Sequence, residues 1–226
     1  VSHNTVAVGM IIDKLSSDRL PSRITDKEKE HIVKSGSLVS IGEREKRYGQ
    51  KGSTLWITGL HGSGKNQLAY SLEKELFAQG KNVVVFDGKS VRSGLSRELD
   101  FSAADSAEHL RRVAHMCRLL NDQGVMTICS FISPEEDVRR QVKEIINTES
   151  AERFHLIHMD ASLEFCKKND SYDLFKQAES GDIKHMPGID KPYESPLHPN
   201  LKLNAEEEIN LEEILGYLRE AQVIFE

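Results

Sequence analysis

The stretch Gly59-Leu60-His61-Gly62-Ser63-Gly64-Lys65-Asn66 constrains this chain more than any other. An apolar run, Thr54 to Thr58, precedes it and reads as a buried strand. Gln67 to Gln79 follows, with Leu68, Leu72, Leu76 and Phe77 at helical spacing. Strand, glycine loop and helix, in that order, make the setting in which a loop cradles a polyphosphate. Glycines let backbone N–H groups turn toward the phosphates, the helix N-terminus adds positive potential, and Lys65 can reach the β- and γ-phosphates. Gly59, Gly62, Ser63, Gly64, Lys65 and Asn66 are therefore the predicted phosphate-binding set. Only the last position departs from G-x-x-x-x-G-K-[ST]: Asn66 stands where a Ser or Thr hydroxyl would hold magnesium.

A chain of 226 residues suffices for one well-buried domain and an appendage. Its net charge of -6 argues against a general nucleic-acid binder, and a small anionic ligand would need a local cluster of cations. Cys117, Cys129 and Cys166 are odd in number and widely spaced, which reads as buried free thiols and a cytoplasmic setting. No apolar run approaches the roughly 18 to 20 residues of a membrane span. The chain opens on Val1 rather than Met, which suggests a fragment of a longer protein or a processed chain.

Thr5 to Ile12 is β-like with nothing before it to pair with, which suggests the last strand of a preceding domain. Asp13 to Lys34 reads as a linker with a short helix at Asp26 to Lys34, and Ser40-Ile41-Gly42-Glu43 as a capping box for a helix ending near Gly49. From Ser53 the chain alternates strand and helix, which predicts an α/β fold with a parallel sheet and helices on both faces. Strands are expected at Asn82 to Phe86 (buried), Val125 to Phe131, Phe154 to Asp160 and Asn200 to Asn204. Helices are expected at Ser102 to Asp122, Glu135 to Thr148, just after Asp160, and at Leu211 to Val223. Residues 179–200 hold Gly181, Gly188 and four prolines, a composition suited to a mobile lid. Ligands of such sheets collect beyond the carboxyl ends of the strands, here Gly59 to Asn66, Asp87 to Arg92, Phe131 to Pro134 and Asp160.

These motifs, with Val91-Arg92-Ser93-Gly94-Leu95, Leu99-Asp100-Phe101-Ser102, Glu108-His109-Leu110-Arg111-Arg112 and Gly188-Ile189-Asp190-Lys191-Pro192-Tyr193-Glu194, resemble the adenylylsulfate kinase family. The match runs from about Gly42 to Asn204. It implies a P-loop NTPase domain over 50–226, a separate extension over 1–49, and γ-phosphoryl transfer from ATP, with Mg2+, to the 3′-hydroxyl of adenylyl sulfate. A homodimer is expected as well, and the charge and the lack of a long apolar run predict no nucleic-acid or membrane partner. The first residues resemble the end of the GTPase subunit of ATP sulfurylase, which would make sulfurylase subunits partners. Carried over residue by residue, Lys65 and Asp87 are the expected catalytic pair, and Arg92, Phe101, Ser133 and Lys184 the expected acceptor contacts.

Several positions depart from that pattern. Asn66 offers magnesium only an amide oxygen. Lys89 replaces a carboxylate beside the reacting hydroxyl; a lysine accepts no proton at neutral pH unless its pKa is strongly depressed, and it repels a metal ion, which leaves pairing with a phosphate or with Asp87 as its alternative role. Ser106 and His109 replace an arginine and an asparagine, Met186 replaces a phenylalanine that stacks on adenine, and Asn169-Asp170-Ser171-Tyr172-Asp173 stands for Arg-Asp-Pro-Lys-Gly. Blander roles compete at each position: Asp87 as a helix cap, Arg92, Arg111 and Arg112 as surface ion pairs, Phe101 as core, and His61, His109, His155 and His158 as ordinary packing residues. The expectation is a kinase of reduced activity. Its alternatives are a catalytically silent module that regulates a sulfurylase, and a kinase for a different nucleotide-like acceptor.

Overall fold

A strand that is apolar along its whole length must be covered on both faces and paired along both edges. β1 (Thr54–Thr58) is such a strand, with all five residues buried. In the computed structural model, which describes residues 37–147 and 152–225, it lies between β3 (Met126–Ser130) and β4 (Phe154–Asp160). Leu55 sits opposite Ile128 on one side and His155 on the other, and both pairings are parallel. β2 (Val83–Asp87) adds to β3 and β5 (Leu201–Asn204) to β4, giving the order β2-β3-β1-β4-β5, parallel throughout. This is the expected P-loop NTPase sheet. The chain turns to opposite sides of β1 on leaving β1 and β3, which opens a crevice at the carboxyl ends of the central strands.

Side chains along β1 alternate between two cores. Leu55 and Ile57 pack with Leu68, Leu72 and Leu76 of α2 (Lys65–Ala78) and Ile214, Leu215 and Leu218 of α8 (Leu211–Glu220). Trp56 packs on the other face with Val91 of α3 (Gly88–Arg92), Leu110, Val113 and Cys117 of α4 (Ala103–Asn121), and Val138, Val142 and Ile146 of α5 (Glu136–Ile146). Two short helices, α6 (Leu163–Lys168) and α7 (Leu174–Glu179), place Cys166, Phe175 and Ala178 in a third cluster with Met186. The three cysteines are free and buried. No described helix is long and apolar enough to cross a membrane.

The structure differs from the sequence reading in two places. Val83 to Phe86, expected to be buried, are only partly so, because β2 is an edge strand with a single neighbour. The compact unit begins at Val39, so α1 (Ile41–Tyr48) belongs to it rather than to the expected extension. α1 has the capping box formed by Ser40 and Glu43 and ends at Gly49 in the left-handed region (φ 62°). The Gly49 carbonyl is fixed by Lys81 Nζ at 2.8 Å and the Phe225 N–H at 2.9 Å. The predicted strand at Thr5 to Ile12 and helix at Asp26 to Lys34 lie outside the described residues.

Gln50 braces the amino ends of the strands. Wholly buried, it donates from Nε2 to the Asn82 and Gly124 carbonyls (2.7 and 3.0 Å) and accepts the Asn82 N–H at Oε1 (2.8 Å). Replacing it with an apolar residue strands the Asn82 N–H and the Gly124 carbonyl, each costing about 1–3 kcal/mol if unsatisfied, while the Asn82 carbonyl keeps the Met126 N–H. Gln50→Leu is expected to lower unfolding stability by about 3 kcal/mol, read as a fall in urea midpoint at constant m-value. An unchanged midpoint would contradict the brace.

Candidate functional site

The loop from Gly59 to Gly64 is held by close backbone approach. Gly62, at φ 78°, sits where a Cβ would come within 2.3 Å of the Cys166 carbonyl oxygen, so only glycine fits. Gly59 is packed as tightly against the Met159 carbonyl. Gly64, at φ 81°, opens α2 with no side-chain cap, which leaves the first-turn N–H groups for a ligand. Lys65 is buried, its Nζ donating to the Leu60 carbonyl (2.6 Å) and lying 3.4 Å from Ser63 Oγ. Burial pushes its ammonium down to about 8.

This loop forms part of a cleft of about 1510 Å³, larger than a pocket for one drug-sized ligand. Lys65, Lys89, Arg92, Lys184 and Lys191 line it, with Glu207 and Glu208 the only acidic residues among the described lining. An acidic chain thus carries a cationic cleft.

Asn66 and Asp87, the two side chains beside the loop that could meet a magnesium ion, are engaged elsewhere. Asn66 Oδ1, the atom at the metal-ligand position, accepts the Ser130 hydroxyl at 2.5 Å. Asp87 is 4 % exposed and acts as the N-cap of α3: Oδ1 accepts the Lys89 and Ser90 N–H groups (2.8 and 3.1 Å), and Oδ2 the hydroxyls of Ser90 and Tyr70 (2.5 and 2.7 Å). Burial works to raise the Asp87 carboxyl, but these hydrogen bonds outweigh it and hold the group below the usual carboxylate range. Among the described residues, no three His, Cys, Asp or Glu side chains gather as a metal-binding group. The donor set does not fit magnesium at a ready-made protein site.

On the acceptor side, Arg92 donates to the Leu99 and Asp100 carbonyls (both 3.0 Å), and its guanidinium lies 4.4 Å over the Phe101 ring. Phe101 is 64 % exposed and lines the cleft, so it is not core. Ser133 sits on the floor in the left-handed region (φ 38°), its hydroxyl accepting the Trp56 indole N–H and donating to Thr58 Oγ1. Lys184 is exposed at the rim. His109 is buried against Phe131, with Nδ1 unpartnered; burial, then Arg92 and Arg112, push its pKa down to about 4, so the imidazole is neutral at pH 7. Arg111 and Arg112 pair with Glu108, and Arg112 also with Glu98, which is the surface role. His155 bonds Tyr217 and His158 stacks on Tyr193, as packing residues do.

Lys89 is not isolated. Its Nζ lies 3.9 Å from the centroid of the Tyr172 ring, two departures from the family pattern meeting across the cleft. Tyr172 is placed by Asp170, which accepts its N–H, the Phe175 N–H and His61 Nε2 of the phosphate loop. Asp173 adopts φ 52° where the family pattern has glycine. In the 179–200 segment, Met186 is buried. The later part is fastened by Tyr193 to Thr58, by Lys191 to Glu135, and by Arg139, which donates to the carbonyls of Ser133 and Glu194 (2.6 Å each).

Sequence reasoning missed Ser130 and Tyr70, and named Tyr172 without a partner. Ser130 ends β3 one residue before the expected floor, so the strand-end rule reached within one position of it. Asp87→Ala is expected to lower unfolding stability by about 0.5–2 kcal/mol at pH 7, from the lost cap, since the hydroxyls of Ser90 and Tyr70 belong to exposed residues and turn to water. Because the folded-state pKa is depressed, this contribution is present above the unfolded value of about 3.9 and fades as pH falls through the folded one. Denaturant titrations of both proteins at pH 7 and pH 3 measure it, and equal stability at pH 7 would exclude the cap.

Comparison with known proteins agrees with this architecture. The family model described as adenylylsulphate kinase matches residues 51–204. The chain is 37 % identical over 202 residues to an adenylyl-sulfate kinase of Yersinia pestis, covering 88 % of this chain and 93 % of that protein. It is also 37 % identical over 207 residues to the bifunctional enzyme CysN/CysC of Rhodopirellula baltica, covering 91 % of this chain but spanning only 31 % of that protein. Among solved structures, the Mycobacterium tuberculosis APS kinase CysC in complex with AMPPNP and APS superposes with a TM-score of 0.71 at 35 % identity, over 75 % of this chain and 99 % of that one. A family match across more than half the chain, relatives of this identity and a shared fold together establish that this chain belongs to the adenylylsulphate kinase family.

Proposed function

We propose that this domain binds ATP on the Gly59–Asn66 loop and transfers its γ-phosphoryl group slowly to adenylyl sulfate or a closely related nucleotide. The observation that carries the reading is one cleft holding both halves of such a reaction: the uncapped N-terminus of α2 with Lys65, and the Arg92–Phe101 platform. The ligands named for the Mycobacterium tuberculosis relative support it. Phosphoryl transfer rests on positioning and charge stabilisation. Here Lys65 and the loop N–H groups supply charge to the phosphates, while Arg92 and Lys184 hold the acceptor. Asp87, spent on its cap, is poorly placed to take the hydroxyl proton, and Lys89 does not replace a carboxylate base, which is why the rate is low. As partners we propose sulfurylase subunits, supported by the bifunctional relative, and a second copy of the chain.

The saturated Asp87 also favours a second reading, a silent nucleotide-binding module. A coupled assay with ATP, magnesium and adenylyl sulfate separates the two. Wild-type turnover is expected at least ~100-fold below the roughly 1–100 per second of ordinary kinases. The Lys89→Asp/Asn66→Ser double variant is expected to gain at least tenfold. No product from either protein, with ATP still bound, favours the silent module, and an ordinary wild-type rate sinks the claim of reduced activity.

Lys65 gives a pH dependence. Its free-state pKa of about 8 means that phosphate binding must take up a proton above that pH, so affinity falls as pH rises. At pH 9 about one-tenth of Lys65 is charged, and ATP affinity is expected to be about tenfold weaker than at pH 7. Calorimetric titration at both pH values, beside Lys65→Met, measures this, and a flat profile for the wild type would count against it.

A further inference from the structure

We infer that this cleft binds its nucleoside polyphosphate without a divalent cation, the Lys89 ammonium, steadied by the Tyr172 ring, supplying the positive charge that a metal would bring. The inference rests on the ATP reading above. A magnesium ion at a nucleotide is held by one or two carboxylates or hydroxyls beside the phosphates and keeps near-octahedral oxygen geometry. Of the protein groups at those positions, Asn66 Oδ1 is bound to Ser130 and all four hydrogen bonds of Asp87 serve α3 and Tyr70. Asp160, at the end of β4, pairs with Lys202 at 2.8 Å and lines a separate pocket. Glu207 and Glu208 follow β5, at the opposite edge of the sheet from β2 and Lys89, and Glu207 accepts from Asn204 at 2.6 Å.

A cation stands instead on the β2 side, exposed to solvent and in contact with an exposed tyrosine ring. Lys89 follows its cap residue at the start of α3, and the face of Tyr172 attracts its ammonium at 3.9 Å. Tyr172 is tied through Asp170 to His61, so the contact is anchored to the phosphate loop itself. An ammonium so placed attracts free ATP, with four negative charges, more than the magnesium complex, and repels the metal.

The test is calorimetric titration of the whole chain with the β,γ-imido analogue of ATP, in EDTA and in millimolar magnesium. Binding in EDTA is expected to equal or exceed binding in magnesium, and Lys89→Met to weaken the EDTA value at least fivefold. The Lys89→Asp/Asn66→Ser variant is expected to reverse the order, with magnesium tightening binding at least tenfold. Wild-type binding more than threefold tighter with magnesium overturns the inference and leaves the ATP reading standing. So does an EDTA affinity that Lys89→Met leaves unchanged. Binding in neither buffer overturns the ATP reading and this inference together.

Discussion

The parallel pairing of β1 with β3 on one side and β4 on the other is the constraint on which the rest depends. It buries Thr54 to Thr58 completely and fixes three strand ends in one row. From that row Thr58 Oγ1 donates to the Ile132 carbonyl at 2.6 Å and meets the hydroxyls of Ser133 and Tyr193. The cleft floor and the segment above it therefore share one hydroxyl, on the residue that precedes the phosphate loop. Precise placement of a nucleotide is first a matter of sheet register, and only then of the residues that touch it.

Electrostatics divide the molecule. The chain is acidic overall, yet its cleft gathers five lysines and arginines against two glutamates, the local cluster that a small polyanion requires. What changes relative to the family pattern is how charge is supplied. A hydroxyl position and a carboxylate position that suit a metal are here an amide, Asn66, and a lysine, Lys89, while the retained Asp87 caps a helix. The phosphate loop survives because its donors are backbone N–H groups, which these substitutions leave in place.

Much of the fold was legible because it rests on local rules. The strand, glycine loop and helix around Gly62, the capping box at Ser40 and Glu43, and the apolar stripe of α4 each follow from neighbours in sequence. The misreading of β2 came from its composition, since an apolar run looks alike at an edge and at the centre. At the site, residue identities were legible but their commitments were not. Asn66 and Ser130 are 64 positions apart, and Asp87 and Tyr70 17 apart, so nothing in spacing announces those bonds. At Asp87 the strand-end position favoured a role facing the phosphates over a helix cap, and only the folded chain shows its oxygens taken up by the cap, Tyr70 and Ser90. Lys89 and Tyr172 were each noted as departures, and only the folded chain makes them a pair.

Arg139 carries one more consequence. Almost wholly buried, its guanidinium joins the carbonyl of Ser133 on the floor to that of Glu194 in the segment above. Floor and segment are thus fastened at the same cation. The segment is therefore tied to the sheet at its Glu194 end, whereas the stretch before Met186 is largely exposed to solvent.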